Sequence, residues 1–333
     1  MKSVGDRIPA AIGARLTLPL IAAPMLRVSG PDLVVAACRA GVVGAFPTKN
    51  ARTVDELDAW LSDIRARVAD TGGRAAPFCP NLIMRDGRLA DDLASVVRHG
   101  VELVITSVGS PGPAVKALHD AGCLVLADVA TLRHAERAIA AGADGLILLT
   151  AGAGGQTGWL NPFAFVRAVR AMFDGIVVLA GGVCDGQSLA AARVLGCDLA
   201  YMGTRFIATS ESMASDAYRG MLVDASMDDV LLTSSFTGLP TNMLKPSIVA
   251  AGLDPRRLDE SMSEARARET FGADAQAGGP RRWTDIWSAG HSVSGVTQLQ
   301  AVRELVEETR AQFVAAQRSL APARDHSTWN VGP

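Results

Sequence analysis

IVVLAGGVCDGQSLAAARVLGCDLAYMGT, residues 176–204, carries the reading of the fold. It opens with five apolar residues (176–180), turns on Gly181-Gly182, and runs through a helical stretch (185–195) that stops at Gly196. A second apolar run follows at 199–203. The two runs are continuous rather than alternating, the pattern of strands buried on both faces in a parallel sheet. Strand, turn, helix and strand in this order make a βα unit with a right-handed crossover.

The same unit recurs on the N-terminal side. Apolar runs stand at 19–23, 42–46, 77–83, 103–107, 124–129 and 145–150, which with 176–180 and 199–203 gives eight. Helical segments separate them. The segment 53–70 begins on a Thr-x-x-Glu capping box at Thr53 and Glu56. Segments 111–121 and 132–141 end before Gly122 and Gly142, and Asn161-Pro162 starts another with an N-cap and a first-turn proline. Eight units of this kind predict a closed (β/α)8 barrel of the TIM type; a doubly wound open sheet is the alternative. After residue 206 the period is lost. Stretches 209–224 and 261–270 read as helices, 234–246 as irregular, 272–280 as a loop, and 297–317 as a long amphipathic helix before a frayed end.

Composition narrows the function. The 333 residues are 49% apolar and 20% charged, which excludes a disordered chain. Lys and Arg total 32 against 34 Asp and Glu, so no basic surplus favours nucleic acid. Five scattered cysteines without a CxxC pair read as reduced thiols of a cytoplasmic protein, and the five histidines show no metal-ligand spacing. No apolar run reaches the roughly 18–20 residues of a membrane helix. Pro19 and Pro24 interrupt the apolar stretch 16–25, which reads as a first strand and not as a signal peptide. Partners are therefore small molecules; a second copy of the chain is the one macromolecule left open.

In a barrel the chemistry sits where strands end. Barrels often hold phosphate on the loops after strands seven and eight, and here those strands end in Gly181-Gly182 and Gly203-Thr204. Plain turn chemistry would also place glycines there. The loop 152–158 fails the dinucleotide fingerprint, because the third glycine would fall at Thr157; a backbone lying flat against a planar ligand is the better reading. Asp128 suits either a ring N–H or a helix cap. Asn81 offers an amide that both donates and accepts, or serves as a turn residue.

Ala23-Pro24-Met25, Asn81, Gly154-Gly155, Ala180-Gly181-Gly182 and Met202-Gly203-Thr204-Arg205-Phe206 come in that order. Phe236-Thr237-Gly238, Lys245-Pro246-Ser247 and Trp287-Ser288-Ala289-Gly290 follow. This set resembles the nitronate monooxygenases, formerly 2-nitropropane dioxygenases, over about residues 16–320. The resemblance implies an FMN-dependent oxidoreductase that oxidises alkyl nitronates with O2 to a carbonyl compound and nitrite. An NAD(P)H-dependent flavin reductase of quinones or enoyl thioesters is the alternative on the same barrel. It further implies a barrel of residues 1–206 and 286–333, with a smaller helical domain, 207–285, inserted to cover the substrate. FMN would lie against Ala23, Pro24, Met25 and Asn81, with Asp128 and Gly155 nearby and Gly181, Gly182, Gly203 and Thr204 at its phosphate. The family's Gly-Gly-His becomes Gly154-Gly155-Gln156 here. Gln156 has no titratable group, and His291 is the one histidine that the neighbouring motif offers in its place.

Overall fold

The computed structural model describes residues 7–272 and 279–320. Eight parallel strands close into a barrel in the order β1 (Leu20–Ala22), β2 (Val43–Pro47), β3 (Phe78–Ile83), β4 (Leu103–Ser107), β5 (Leu124–Val129), β6 (Gly145–Leu149), β8 (Ile176–Ala180) and β9 (Leu199–Met202). The ring closes where Ile21 pairs with Tyr201 and Ala22 with Met202. Along β8 the side chains divide by parity. Ile176, Val178 and Ala180 join Ile21, Ile105 and Ile147 in one cluster, the barrel interior, which the helix Ala10–Gly13 extends with Ile12. Val177 and Leu179 pack instead with Leu189 and Phe165 of the surrounding helices. Burial on both faces is the physical reason these strands are written as continuous apolar runs.

Local signals act as expected. Thr53 Oγ1 accepts from the Glu56 N–H at 3.1 Å, and the Glu56 carboxylate reaches back to the Arg52 N–H at 2.7 Å. Asn161 caps the helix Pro162–Met172 through Phe163 and Ala164. Asp198, just before β9, is fully buried; it pairs with the buried Arg170 and accepts from the Val177 N–H at 3.0 Å. Arg170 also donates to Gly175 O at 2.6 Å, so one guanidinium ties the N-terminal ends of two strands together.

Three expectations change. The segment 207–285, expected to be helical, also carries β10 (Val230–Thr233) and β11 (Thr241–Leu244). With β7 (Gly155–Gln156) they form an antiparallel sheet in the order β10-β11-β7. The helix expected from 209 begins at Asp216 on the cap Ser215. The last helix runs Val302–Leu320 and not from 297, because Gln300 bridges to Thr209 and the Ala301 N–H is taken by Glu304. Of the loop expected at 272–280, residues 273–278 lie outside the described residues, as does the end expected to fray. Among the described residues no helix is long and apolar enough to cross a membrane.

Candidate active site

A cavity of about 740 Å³ opens at the C-terminal ends of the strands. Ala23 and Pro24 after β1, Asn81 on β3, Asp128 on β5, Gly181 and Gly182 after β8, and Gly203 after β9 all line it. Met25, Gly155, Gln156 and Thr204 also border it, so the residues singled out in the sequence converge on one space.

The turn 23–25 is held from below. The Met25 N–H donates to Ser29 Oγ at 3.0 Å, and Asn50 Nδ2 donates to the Met25 and Ser29 carbonyls at 2.9 and 2.8 Å. Asn50 fixes this wall without reaching the cavity, and no motif in the sequence signals it. Asn81 is 5% exposed; its amide donates to Ser107 Oγ at 3.1 Å and takes a bond back at 3.3 Å.

Asp128 does not cap the following helix. Thr131 does, accepting from the His134 N–H. Asp128 Oδ1 is buried without a hydrogen-bond partner among the described residues, and so is the Tyr201 hydroxyl. Desolvation pushes the Asp128 carboxyl up to about 7. It pushes the Tyr201 phenol well above its ordinary value, with the Asp128 charge acting in the same direction. Two orphaned polar atoms among the cavity-lining residues call for an explanation, since buried polar groups in proteins are otherwise satisfied.

The glycines divide by role. A Cβ on Gly182 or Gly155 would meet nothing within 4 Å, so backbone at both borders open space, at φ +76° and +69°. Gly181 is crowded by protein, with Thr150 Oγ1 2.5 Å from a would-be Cβ. The loop 152–154 packs against the chain: a Cβ on Gly154 would stand 2.8 Å from Gly290 N, and one on Gly152 2.8 Å from His291 Nδ1. Close packing, against the His291 side chain at Gly152 and against the 289–290 backbone at Gly154, requires glycine at both positions, and both also line the cavity. Thr204 is 3% exposed and its hydroxyl accepts from the Gly290 N–H at 3.0 Å.

Gln156 borders the cavity on β7, opposite Thr241 of β11. His291 does not join it. Its side chain is exposed and packs against Gly152 outside the cavity lining, its N–H donates to Gly152 O at 2.9 Å, and Ala289 and Ser292 line the cavity instead. Two further lining residues escaped the sequence reading. Val108 and Trp283 hold φ of +54° and +67°, a left-handed conformation costing of order 1–3 kcal/mol for such side chains and concentrated in proteins at functional sites.

Comparison with known proteins names the architecture. The family model described as nitronate monooxygenase matches residues 83–311. The chain belongs to the nitronate monooxygenase family. A nitronate monooxygenase of Paraburkholderia phytofirmans is 30% identical over 281 residues, covering 72% of this chain and 76% of that one. A (3aS,4S,5R,7aS)-5-hydroxy-7a-methyl-1-oxo-octahydro-1H-indene-4-carboxyl-CoA dehydrogenase of Mycobacterium tuberculosis is 29% identical over 274 residues, covering 80% and 72%. The solved nitroalkane oxidase of Streptomyces ansochromogenes superposes with a TM-score of 0.75 at 25% identity, over 94% of this chain and all of that one. The protein is thus an oxidoreductase of this family on a (β/α)8 barrel.

Proposed function

We propose that the protein is an FMN-dependent oxidoreductase that oxidises alkyl nitronates with O2, releasing a carbonyl compound and nitrite. The observation that carries the reading is the cavity wall itself, which holds glycine backbone open to the cavity and two buried polar atoms without partners among the described residues. FMN fits both features. Its phosphate suits the turns at Gly181, Gly182, Gly203 and Thr204, and the polar edge of its ring suits Asp128 and Tyr201. Ala23, Pro24, Met25, Asn81 and Gly155 are placed to border the ring. Bound there, FMN supplies two-electron redox chemistry.

The chain's own residues set what can react. The Gln156 amide can donate a hydrogen bond to a nitronate oxygen, but it exchanges no proton near neutral pH. A nitronate needs none removed, since it is already a carbanion equivalent. The parent nitroalkane must first lose its α-proton, and no side chain at position 156 takes it. Asp128 holds a proton below about pH 7 and so presents an O–H there, and a bare carboxylate above.

A second reading is an NAD(P)H-dependent flavin reductase of quinones or enoyl thioesters. The uncharged residue at 156 and the CoA thioester in the name of the Mycobacterium tuberculosis relative favour it. Anaerobic mixing of the yellow protein with preformed nitronates, or with NADH or NADPH, separates the two. Bleaching by nitronates is the expected result. Bleaching by the nicotinamides alone establishes the reductase, and release of FAD or of no flavin on denaturation overturns the cofactor.

A further inference from the structure

The chain carries a slight negative net charge, yet the rim of its cavity is cationic. Lys49, Arg85, Arg88, Arg268 and Arg282 line it, against the carboxylates of Asp86 and Glu264 at the same rim. Three of the cations are matched. Lys49 pairs with Asp86 at 2.9 Å, Arg88 with Asp92 at 3.1 Å, and Arg85 with Glu264 at 3.4 Å. Arg268 and Arg282 have no ion pair among the described residues. Arg268 stands one helical turn after Glu264 on the helix Glu264–Phe271, so both reach the cavity from one helix face. Arg282 is half-buried; it donates one bond, from Nη1 to Phe236 O at 2.8 Å, and its remaining N–H donors have no partner among the described residues. Burial, and after it the neighbouring Arg268, disfavour the charge on Arg282, while the Glu264 carboxylate favours it in part. Beside it Trp283 holds its strained backbone. Glu264 is the carboxylate of this corner and already pairs with Arg85, so the exposed Arg268 and the half-buried Arg282 keep guanidinium donors without partners among the described residues, and a planar guanidinium engages an anion through two parallel bonds.

We propose that Arg268 and Arg282 form an anion subsite at the cavity rim that takes a phosphate group carried by the second ligand of the cavity. This rests on the reading of the inner cavity as the FMN site. A simple alkyl nitronate would occupy the inner end and leave the rim pair unused. The ligand for which the rim is built is longer, with a reactive head beside the barrel glycines and a phosphorylated tail at the mouth. Two ligand types share that chemistry, a phosphate-bearing thioester and a nicotinamide dinucleotide, and both belong to the reductase reading and not to the oxidation of simple nitronates.

The test uses the flavin-loaded protein and the variants Arg268→Gln, Arg282→Gln and the double variant. Lys116→Gln, an exposed helix position, is the control. Inorganic pyrophosphate is titrated calorimetrically at low ionic strength. Each rim substitution should raise its Kd roughly tenfold or more, as loss of bonds to a charged group does, with flavin content and melting temperature unchanged. The control should bind like wild type. Absence of pyrophosphate binding to wild type, or equal binding by the rim variants, overturns the proposal. Anaerobic flavin reduction then identifies the source. A raised half-saturation for NADPH in the variants assigns the tail to the dinucleotide, and a raised KM for a CoA thioester, with its pantetheine analogue unaffected, assigns it to the substrate. Failure of every protein to retain FMN refutes the inner-site reading instead, and pyrophosphate binding remains measurable without flavin.

Discussion

Replacing Asp128 with Asn should stabilise the flavin-free protein, and the gain should grow with pH. In the unfolded chain this carboxyl titrates at its ordinary 3.8; in the fold it titrates at about 7. Below both values it is protonated in either state, and burying it carries no charge penalty. As pH rises between them the unfolded chain sheds its proton first, so folding must take one up and stability falls. Above about 7 the fold holds a buried carboxylate, and the penalty is complete. The gap between the two values, at ~1.4 kcal/mol per pH unit, sets a ceiling of about 4 kcal/mol. Part of the side chain faces the cavity, where water softens the penalty, so we expect ~2–4 kcal/mol. Urea unfolding of wild type and Asp128→Asn should therefore show this gain near pH 8 and less than about half of it near pH 5. An equal gain at both pH values would mean that the folded carboxyl does not titrate between them, and destabilisation near pH 8 that it is ionised and satisfied in the fold; either result refutes the orphaned-oxygen reasoning.

Gly203→Leu should weaken FMN binding on the order of a hundredfold or more without unfolding the barrel, through loss of bonds to the phosphate. A Cβ there makes only ordinary contacts, 3.5 Å from Met25 Sδ and 3.6 Å from Ala23 Cβ, so unchanged affinity by flavin fluorescence removes the phosphate role. Gln156→His should raise turnover of neutral nitroalkanes more than that of nitronates, since general-base help is typically ~10²–10⁴-fold; equal effects on both substrates would refute it. His291→Gln should leave the pH profile of turnover as it is, and a lost limb would return His291 to the site. Asp198→Ala should cost ~3–5 kcal/mol in urea unfolding, because it strands the buried Arg170 charge; a loss under ~1 kcal/mol would show that the carbonyl bonds suffice.

The barrel was legible because strands buried on both faces leave little room for polar positions before their C-terminal ends, and an apolar run such as 176–180 has few other readings. The antiparallel sheet was not. β7 is two residues long, and β11 begins with Thr241 and Asn242, both buried but held by hydrogen bonds instead of apolar contact. Such a strand carries no hydrophobic period. The site glycines were legible as turns, but the partner that forces Gly152 and Gly154 lies more than 130 residues away, at 290–291. Distance along the chain hides the rim as well: Arg85, Arg268 and Arg282 read one at a time as solvated charges.

The pairing of β7 with β11 makes two distant stretches of the chain interdependent. Gln156 is held in its backbone position by the segment that follows the last barrel strand, through Thr241, while Gly155 lies opposite Asn242. Asn242 in turn holds the loop behind them by donating to Ala153 O at 2.7 Å. Residues 153–156 and 230–244 thus form one structural block beside the cavity. Chimeras that exchange both stretches together should keep a working pocket. Those that exchange either stretch alone should misplace the residue at 156, whatever its identity.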